Sequence, residues 1–449
     1  MDSPFWNPKT ETLPREQLRA LQLVKLQRVA AWAAARSPFY RRTFAAAGFA
    51  PEQLRTFDDV RRIPFLTREE WMASQEAHPP FGELPVVGAE GSIRLHTTSG
   101  TSGRTPLRAL DSRKDWAWSA EMWCYALWGA GVRPHDVGYV AFGYGSFIGF
   151  WGLHNGLEKI GALTIPGGAQ TTAVRVRQIL DFDVTVVAST PTYALRMAQE
   201  AADLGLDLKG SKVHTVILSG EPAGSIPETK ALVEELWGAK AYDTAGMTEV
   251  STIFMFEPAD QPGGCHVIED HFIEQVVDPT TGEELPYGEQ GERVCTSFGR
   301  GTIPLLRYRT ADLVVKVPHT ASTSGRTWDL YAGGILGRVD DMKLVRGTNV
   351  YPRAVEGIVR THPGIEEFQL KLVREGIRDE IYLRVEPVAG LPDAEWQTLA
   401  RRLGADLADA HEGLRFIVER AGQDELPRFE LKAKRLVDLR PAVPAPALT

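Results

Sequence analysis

The sequence predicts an α/β protein in two parts. Residues 1–337 form a large N-terminal domain with mostly parallel sheets covered by helices and a small β-barrel-like part; residues 338–449 form a small α+β C-terminal domain. Three observations carry this reading. Between residues 137 and 219, short apolar runs alternate with amphipathic segments, the pattern of a parallel sheet covered on both faces. From about Phe272 the rhythm shortens to strand, turn, strand, with Asp278-Pro279 and Thr281-Gly282 as turn signals. Beyond Gly337-Arg-Val-Asp-Asp341 the pattern returns to mixed helix and strand over roughly 110 residues, the size of a small domain.

Taken in order, residues 13–48 place apolar side chains at three- and four-residue steps, a helix broken at Ser37-Pro38. Its arginines read as a solvated face. Buried strands follow at 137–141, 162–165, 184–188 and 213–219. The stretch 272–298 reads as a hairpin, continued by 307–317. In the last part a helix is expected around 354–361, strands near 368–373 and 380–385, and a long helix near 393–410. The closing Pro-Ala-Val-Pro-Ala-Pro-Ala-Leu-Thr reads as a frayed tail, and the chain contains no internal repeat.

Composition narrows the function. A 43% hydrophobic content with 11 Trp, 11 Tyr and 18 Phe supports a real core and excludes disorder as the main state. Fifty basic against 58 acidic residues give a net charge of −8, so no basic field gathers nucleic acid. Cys124, Cys265 and Cys295 are far apart and form neither a disulfide framework nor the usual zinc cluster. No apolar run approaches the ~20 residues of a membrane helix, and the polar start lacks a signal-peptide core. A soluble, cytoplasmic protein without a membrane partner is expected.

The densest chemical signal is His96-Thr-Thr-Ser-Gly-Thr-Ser-Gly-Arg-Thr-Pro106. Two glycines let the backbone turn its N–H groups inward, and the hydroxyls add donors, which suits a polyphosphate. The Walker spacing is absent, and taken alone the segment could equally be a flexible surface turn. Three further segments weigh against that. Tyr242-Asp-Thr-Ala-Gly-Met-Thr-Glu249 ends in a hydroxyl beside a carboxylate, able to hold magnesium on phosphate oxygens. Tyr308-Arg-Thr-Ala-Asp312 offers an acid to ribose hydroxyls, and the run from Gly337 to Glu356 falls on the domain boundary.

With these four motifs in this order, the chain resembles the class I adenylate-forming enzymes, and among them the phenylacetate–coenzyme A ligase group of aryl-acid ligases. Phe5-Trp-Asn-Pro, Ser37-Pro-Phe-Tyr-Arg-Arg, Phe142-Gly-Tyr-Gly-Ser-Phe-Ile-Gly-Phe-Trp-Gly152, Ser219-Gly-Glu-Pro222 and His266-Val-Ile-Glu-Asp-His-Phe272 extend the resemblance over almost the whole chain. It implies that a carboxylic acid attacks the α-phosphate of ATP, and that coenzyme A then displaces AMP from the acyl adenylate. Thr98, Ser99, Gly100, Thr101, Ser102 and Gly103 would cradle the β- and γ-phosphates, with Arg104 where relatives often carry Lys. Thr248 and Glu249 would contact the α-phosphate and magnesium, Asp312 the ribose, and Arg338 the ribose or phosphate. Gly220, Glu221 and Pro222 would wall the adenine slot, with Tyr242 and Asp243 nearby. Asp340 matches the hinge about which a mobile small domain turns.

The sequence departs from the family at Ala245, where relatives carry a tyrosine that stacks on adenine. Either another ring such as Tyr242 fills that place, or nucleotide binding is weaker; a filled slot is expected. Cys265 beside His266 is too little for the structural zinc of some relatives, and zinc is not expected. The family's catalytic lysine aligns with Lys432, although the preceding glycine is Leu431 here, which keeps Lys434 in reserve. A compact ammonium on a flexible stem suits charge developing on phosphate and carboxylate oxygens. Phe142, Tyr144, Phe147, Phe150 and Trp151, with Ala245 and Gly246, would line the pocket of an aromatic acid. The partners expected are a small carboxylic acid and a nucleotide, with a homodimer and a carrier protein as further options. Two other readings stay open: an adenylating enzyme that loads a carrier-protein thiol or an amine, and a nucleotide-binding protein that has lost catalysis.

Overall fold

A computed structural model describes residues 3–98, 106–149, 151–376, 378–429 and 433–441. The N-terminal helix Arg15–Arg36 ends where Ser37 caps the next, Pro38–Ala46, its Oγ accepting the Tyr40 amide at 3.3 Å. The expected break at Ser37-Pro38 is thus an N-cap followed by proline at the first helical position, where its missing N–H costs nothing. A two-stranded antiparallel hairpin of β1 (Arg94–Thr97) and β2 (Arg108–Asp111) follows.

The main sheet has twelve strands. They are β3 (Val137–Val140), β4 (Leu163–Pro166), β5 (Val186–Ser189), β6 (Thr215–Ser219), β7 (Lys240–Met247), β8 (Thr252–Phe256), β9 (Gly264–Val267), β10 (Phe272–Val277), β11 (Gln290–Ser297), β12 (Leu305–Val317), β13 (Leu330–Ala332) and β14 (Gly337–Arg338). The order β4-β3-β5-β6-β7 is parallel throughout, as helical crossovers require. At β7 the sheet changes sense, because a tight turn rather than a helix leads to the antiparallel β8. From there β9, β13, β12, β11 and β10 continue antiparallel. The parallel part and the meander read from the sequence are therefore one continuous sheet, joined edge to edge at β7.

One core lies under β5 and β6 against the helices Thr172–Asp181, Pro191–Asp203 and Pro227–Trp237; it includes Tyr139, Val187, Tyr193, Val216 and Trp237. The larger core, on the other face, takes in the N-terminal helices and the helix Arg113–Gly129. That helix packs closely on Trp151–Ile160 because Gly156 has no side chain: a Cβ there would lie 2.7 Å from Cβ of Trp123.

The C-terminal part opens with the hairpin β15 (Lys343–Val345) and β16 (Thr348–Val350) and the helix Pro352–Arg360. The sheet β17 (Ile365–Glu375), β18 (Arg378–Pro387), β19 (Ile417–Arg420) and β20 (Leu436–Asp438) follows, in order β19-β18-β17-β20, with the helix Asp393–Ala410 against it. Its core, from Val345 through Leu370, Leu383 and Leu403 to Phe416, is separate from the other two. Among the described residues no helix is long and apolar enough to cross a membrane.

Candidate active site

The expected phosphate loop joins β1 to β2. Thr98 closes its base: its N–H donates to the Leu107 carbonyl at 3.1 Å, and its Oγ1 accepts the Leu107 amide at 3.1 Å. Ser99, Gly100, Thr101, Ser102, Gly103 and Arg104 lie outside the described residues. Opposite Thr98, the turn after β7 carries Thr248 and Glu249, both buried. The fully buried Arg300 donates to the backbone carbonyls of Thr248 at 3.1 Å and Glu249 at 2.7 Å. It also pairs with Asp111 of β2 at 3.0 Å, which ties the Glu249 turn to the hairpin that bears the loop.

Sequence reasoning missed the residue that completes this corner. Arg68 donates to Glu249 Oε1 at 2.6 Å and to Thr98 Oγ1 at 3.0 Å, and Tyr308 Oη donates to the same glutamate oxygen at 3.3 Å. Arg68 begins the helix Arg68–Ala77, whose N-cap Thr67 exchanges hydrogen bonds with Glu70 in a capping box. The Thr-x-x-Glu signature was legible as a helix start, but nothing local to it pointed at Glu249.

Asp312 lies on β12 directly after Ala311, which is held in the left-handed region at φ 60°. Non-glycine residues seldom adopt that conformation. The Asp312 carboxyl lies 3.6 Å from Arg293 and 3.4 Å from Arg338. Burial raises its pKa, and the two guanidiniums oppose the shift. Arg338 also grips Asp340 through two hydrogen bonds at 2.8 and 3.0 Å. The predicted ribose acid, the predicted arginine and the predicted hinge therefore form one chain of contacts.

Around the expected adenine slot the placements differ in kind. Gly220 takes φ +93° at the end of β6, a conformation that suits a residue without Cβ. The side chain of Glu221 is half-buried and accepts the Thr192 and Ala433 amides. Asp243 is fully enclosed and bonded by Ser225, with Oδ1 left unpartnered; desolvation pushes its carboxyl up to about 7. Tyr242 lines a cavity of about 480 Å³ together with Lys230, Glu257 and Cys265. Tyr242 and Ala245 are three residues apart on one strand, so their side chains leave opposite faces. The ring of Tyr242 therefore does not stand in for the tyrosine missing at 245. Ala245 is half-buried and Gly246 exposed.

Of the aromatic cluster, Tyr144 and Trp151 meet edge-on with ring centroids 4.6 Å apart, and Tyr144 Oη lies 2.9 Å from His154 Nδ1. Arg94 of β1 stacks its guanidinium 4.6 Å above Trp151, so this cluster borders the phosphate hairpin. Phe142 is buried in the large core, Phe147 is half-buried, and Phe150 lies outside the described residues. His266 is an enclosed core histidine: Trp328 O and Ser324 Oγ lie 3.0 and 2.8 Å from its two ring nitrogens, and burial lowers its pKa to about 3. Lys432 lies outside the described residues, whereas Lys434 is exposed.

Residues 57–299 match the AMP-binding enzyme family, and residues 347–440 match the AMP-binding enzyme C-terminal domain. The chain belongs to the AMP-binding, adenylate-forming enzymes. Within them it belongs with the phenylacetate–coenzyme A ligases. It is 38% identical to that ligase of Thermus thermophilus over 387 residues, 85% of this chain and 84% of the relative. It is 31% identical to that of Aromatoleum evansii over 444 residues, 96% of each. Crystal structures of a 2-hydroxyisobutyryl-CoA ligase, 31–32% identical, separate two states. The postadenylation state with R3-HIB-AMP superposes at a TM-score of 0.92, covering 97% of this chain and 93% of the other. The thioesterification state with 2-HIB-AMP and CoA reaches 0.74, covering 98% and 93%. The chain's two parts are thus arranged as in the postadenylation state.

Proposed function

We propose that this protein activates an aryl carboxylic acid with ATP, giving acyl adenylate and pyrophosphate, and then passes the acyl group to coenzyme A with release of AMP. The observation that carries this reading is the corner where Arg68 joins Thr98, at the base of the phosphate loop, to Glu249. It brings Thr98 ahead of the expected phosphate loop, a carboxylate and a cation together from three distant segments. Each residue then has a task. The loop's N–H groups and hydroxyls hold the β- and γ-phosphates, and Asp312 receives the ribose hydroxyls. Arg338, between Asp312 and Asp340, senses both nucleotide and hinge. Lys432 offsets the charge that develops as the carboxylate oxygen approaches the α-phosphate. Glu249 is a hard oxygen donor buried beside the loop, which fits a magnesium ion; such an ion would neutralise phosphate charge.

The boundary expected at 337/338 would divide β14 (Gly337–Arg338), which pairs with β12 in the main sheet, so the small part begins after that strand, with Asp340 as its hinge, and the protein works in the cytoplasm. The edge-on pair Tyr144 and Trp151 borders an acyl pocket that suits a flat aromatic ring. A panel of small carboxylic acids, phenylacetate first, assayed for pyrophosphate release with and without coenzyme A, tests the reading. An aryl or arylacetic acid should release pyrophosphate, and coenzyme A should convert this into turnover with thioester formation. Release without thioester, or thioester only on a carrier protein, would move the acceptor. No release with any acid would leave a nucleotide-binding protein without catalysis.

A further inference from the structure

The side chain of Glu221 turns to a place where the two parts of the molecule meet. Its Oε2 accepts the backbone N–H of Thr192 at 3.1 Å, in the first turn of the 13-residue helix Pro191–Asp203. Its Oε1 accepts the backbone N–H of Ala433, which belongs to the C-terminal part. A helix start favours a negative charge, and a half-buried carboxylate gains from each donor that replaces lost water. Glu221 is satisfied by one amide from each part.

Ala433 directly follows Lys432 in the chain. Consecutive Cα atoms lie ~3.8 Å apart across a trans peptide, so whatever holds the Ala433 amide limits where residue 432 can be. Two residues on, Arg435 is buried. Within the small part its guanidinium is held by Glu367 and by Glu356, the latter at 3.1 Å, and it reaches Thr192 Oγ1 at 3.4 Å. Lys434 between them faces solvent. The segment after Lys432 therefore meets the large domain twice, through its backbone at 433 and a side chain at 435, and both contacts converge on the turn that holds Thr192. Nearer the hinge, Arg353 donates to the Ser225 and Gly333 carbonyls at 3.2 and 2.9 Å and supports the same interface.

We propose that Glu221 is a positioning residue for adenylation. Its shared carboxylate latches the peptide that follows Lys432 onto the Thr192 turn, and so sets the lysine for the first half-reaction. When the small domain turns for thioester formation, the Ala433 hydrogen bond breaks while the Thr192 bond keeps Glu221 in place. One backbone hydrogen bond is a light tie, fitted to a contact that must form and open in every turnover. The proposal rests on Lys432 being the adenylating lysine, and differs from a role for the Glu221 side chain as a wall of the adenine slot.

The test uses full-length Glu221→Gln, Glu221→Asp, Lys432→Ala and the Glu221→Gln/Lys432→Ala double variant. Glutamine keeps the length but loses the charge and an acceptor oxygen; aspartate keeps the charge on the helix start but is too short to serve both amides. Pyrophosphate release from acid and ATP is measured in single turnovers, and thioester formation is measured separately from supplied acyl adenylate and coenzyme A. The second assay also reports that each variant is folded. Both Glu221 single variants should slow pyrophosphate release by about tenfold or more at saturating ATP, with the KM for ATP little changed. Their thioester step should fall far less. Lys432→Ala should slow adenylation ~10²–10³-fold, as loss of one preorganised donor does, and the double variant should be no slower than Lys432→Ala alone. Equal loss of both half-reactions, an effect confined to the KM for ATP, or additive loss in the double variant overturns the latch and leaves the lysine assignment standing. Undiminished adenylation in Lys432→Ala overturns that assignment, and the latch with it.

Discussion

Asp243 and Ala245 stand two residues apart on the same face of β7, and each states something the motif alone does not. Asp243 is enclosed among Ser225, Gly334 and Cys265, and its carboxyl titrates at about 7 against 3.8 in an ordinary environment. An acid whose pKa is raised by folding binds its proton more tightly in the native state. Its contribution to stability is complete below pH ~4 and is lost as the pH rises through about 7. Asp243→Asn should therefore flatten the decline in melting temperature between pH 5 and pH 8, as read by thermal unfolding at each pH. A decline as steep as the parent's would place the titration elsewhere. At Ala245 a filled slot was the expectation, yet Tyr242 leaves the opposite face of the strand. Ala245→Tyr is now expected to lower the KM for ATP about tenfold with turnover unchanged, since base stacking on a ring contributes ~1–3 kcal/mol. A KM that stays level or rises would show that the place is occupied. Both residues were named from the sequence; which way each side chain faces was not readable there, because it depends on where the strand enters the sheet.

Among elements, those with an apolar run long enough to be buried were legible to within a residue or two. The runs at 137–141 and 213–219 became β3 and β6, and the long helix at 393–410 appears as Asp393–Ala410. The 13-residue β12 was less legible. Its pairing with β11 shifts register twice, and Arg307 and Ala311 both take positive φ, so no simple alternation survives to be read. The hinge is an element-scale matter too. Because the parts sit as in the postadenylation relative, Asp340→Pro, which fixes φ near −65°, should spare pyrophosphate release and abolish thioester formation. The two half-reactions assayed side by side check this. Loss of both to the same extent in a folded variant would remove Asp340 as the pivot.

At the scale of the whole molecule, the residues proposed to handle the nucleotide lie on strands that flank the point where the sheet changes sense. The parallel strands β6 and β7 deliver Gly220 and the Glu249 turn, and the antiparallel β12 delivers Asp312 and Tyr308. The sequence by itself pointed to the class, because its motifs are contiguous segments that resemble, in the same order, those of a known enzyme family. It also determined the α/β character and the change of pattern near residue 338, both set by the local alternation of apolar and polar residues. Only the tertiary structure decided that Arg68 reaches Glu249, 181 residues away, and that Glu221 holds the Ala433 amide, 212 residues away. An arginine at a helix start and a glutamate in a turn look the same wherever they occur. Their partners are chosen when strands and domains pack, a long-range outcome that no local spacing records.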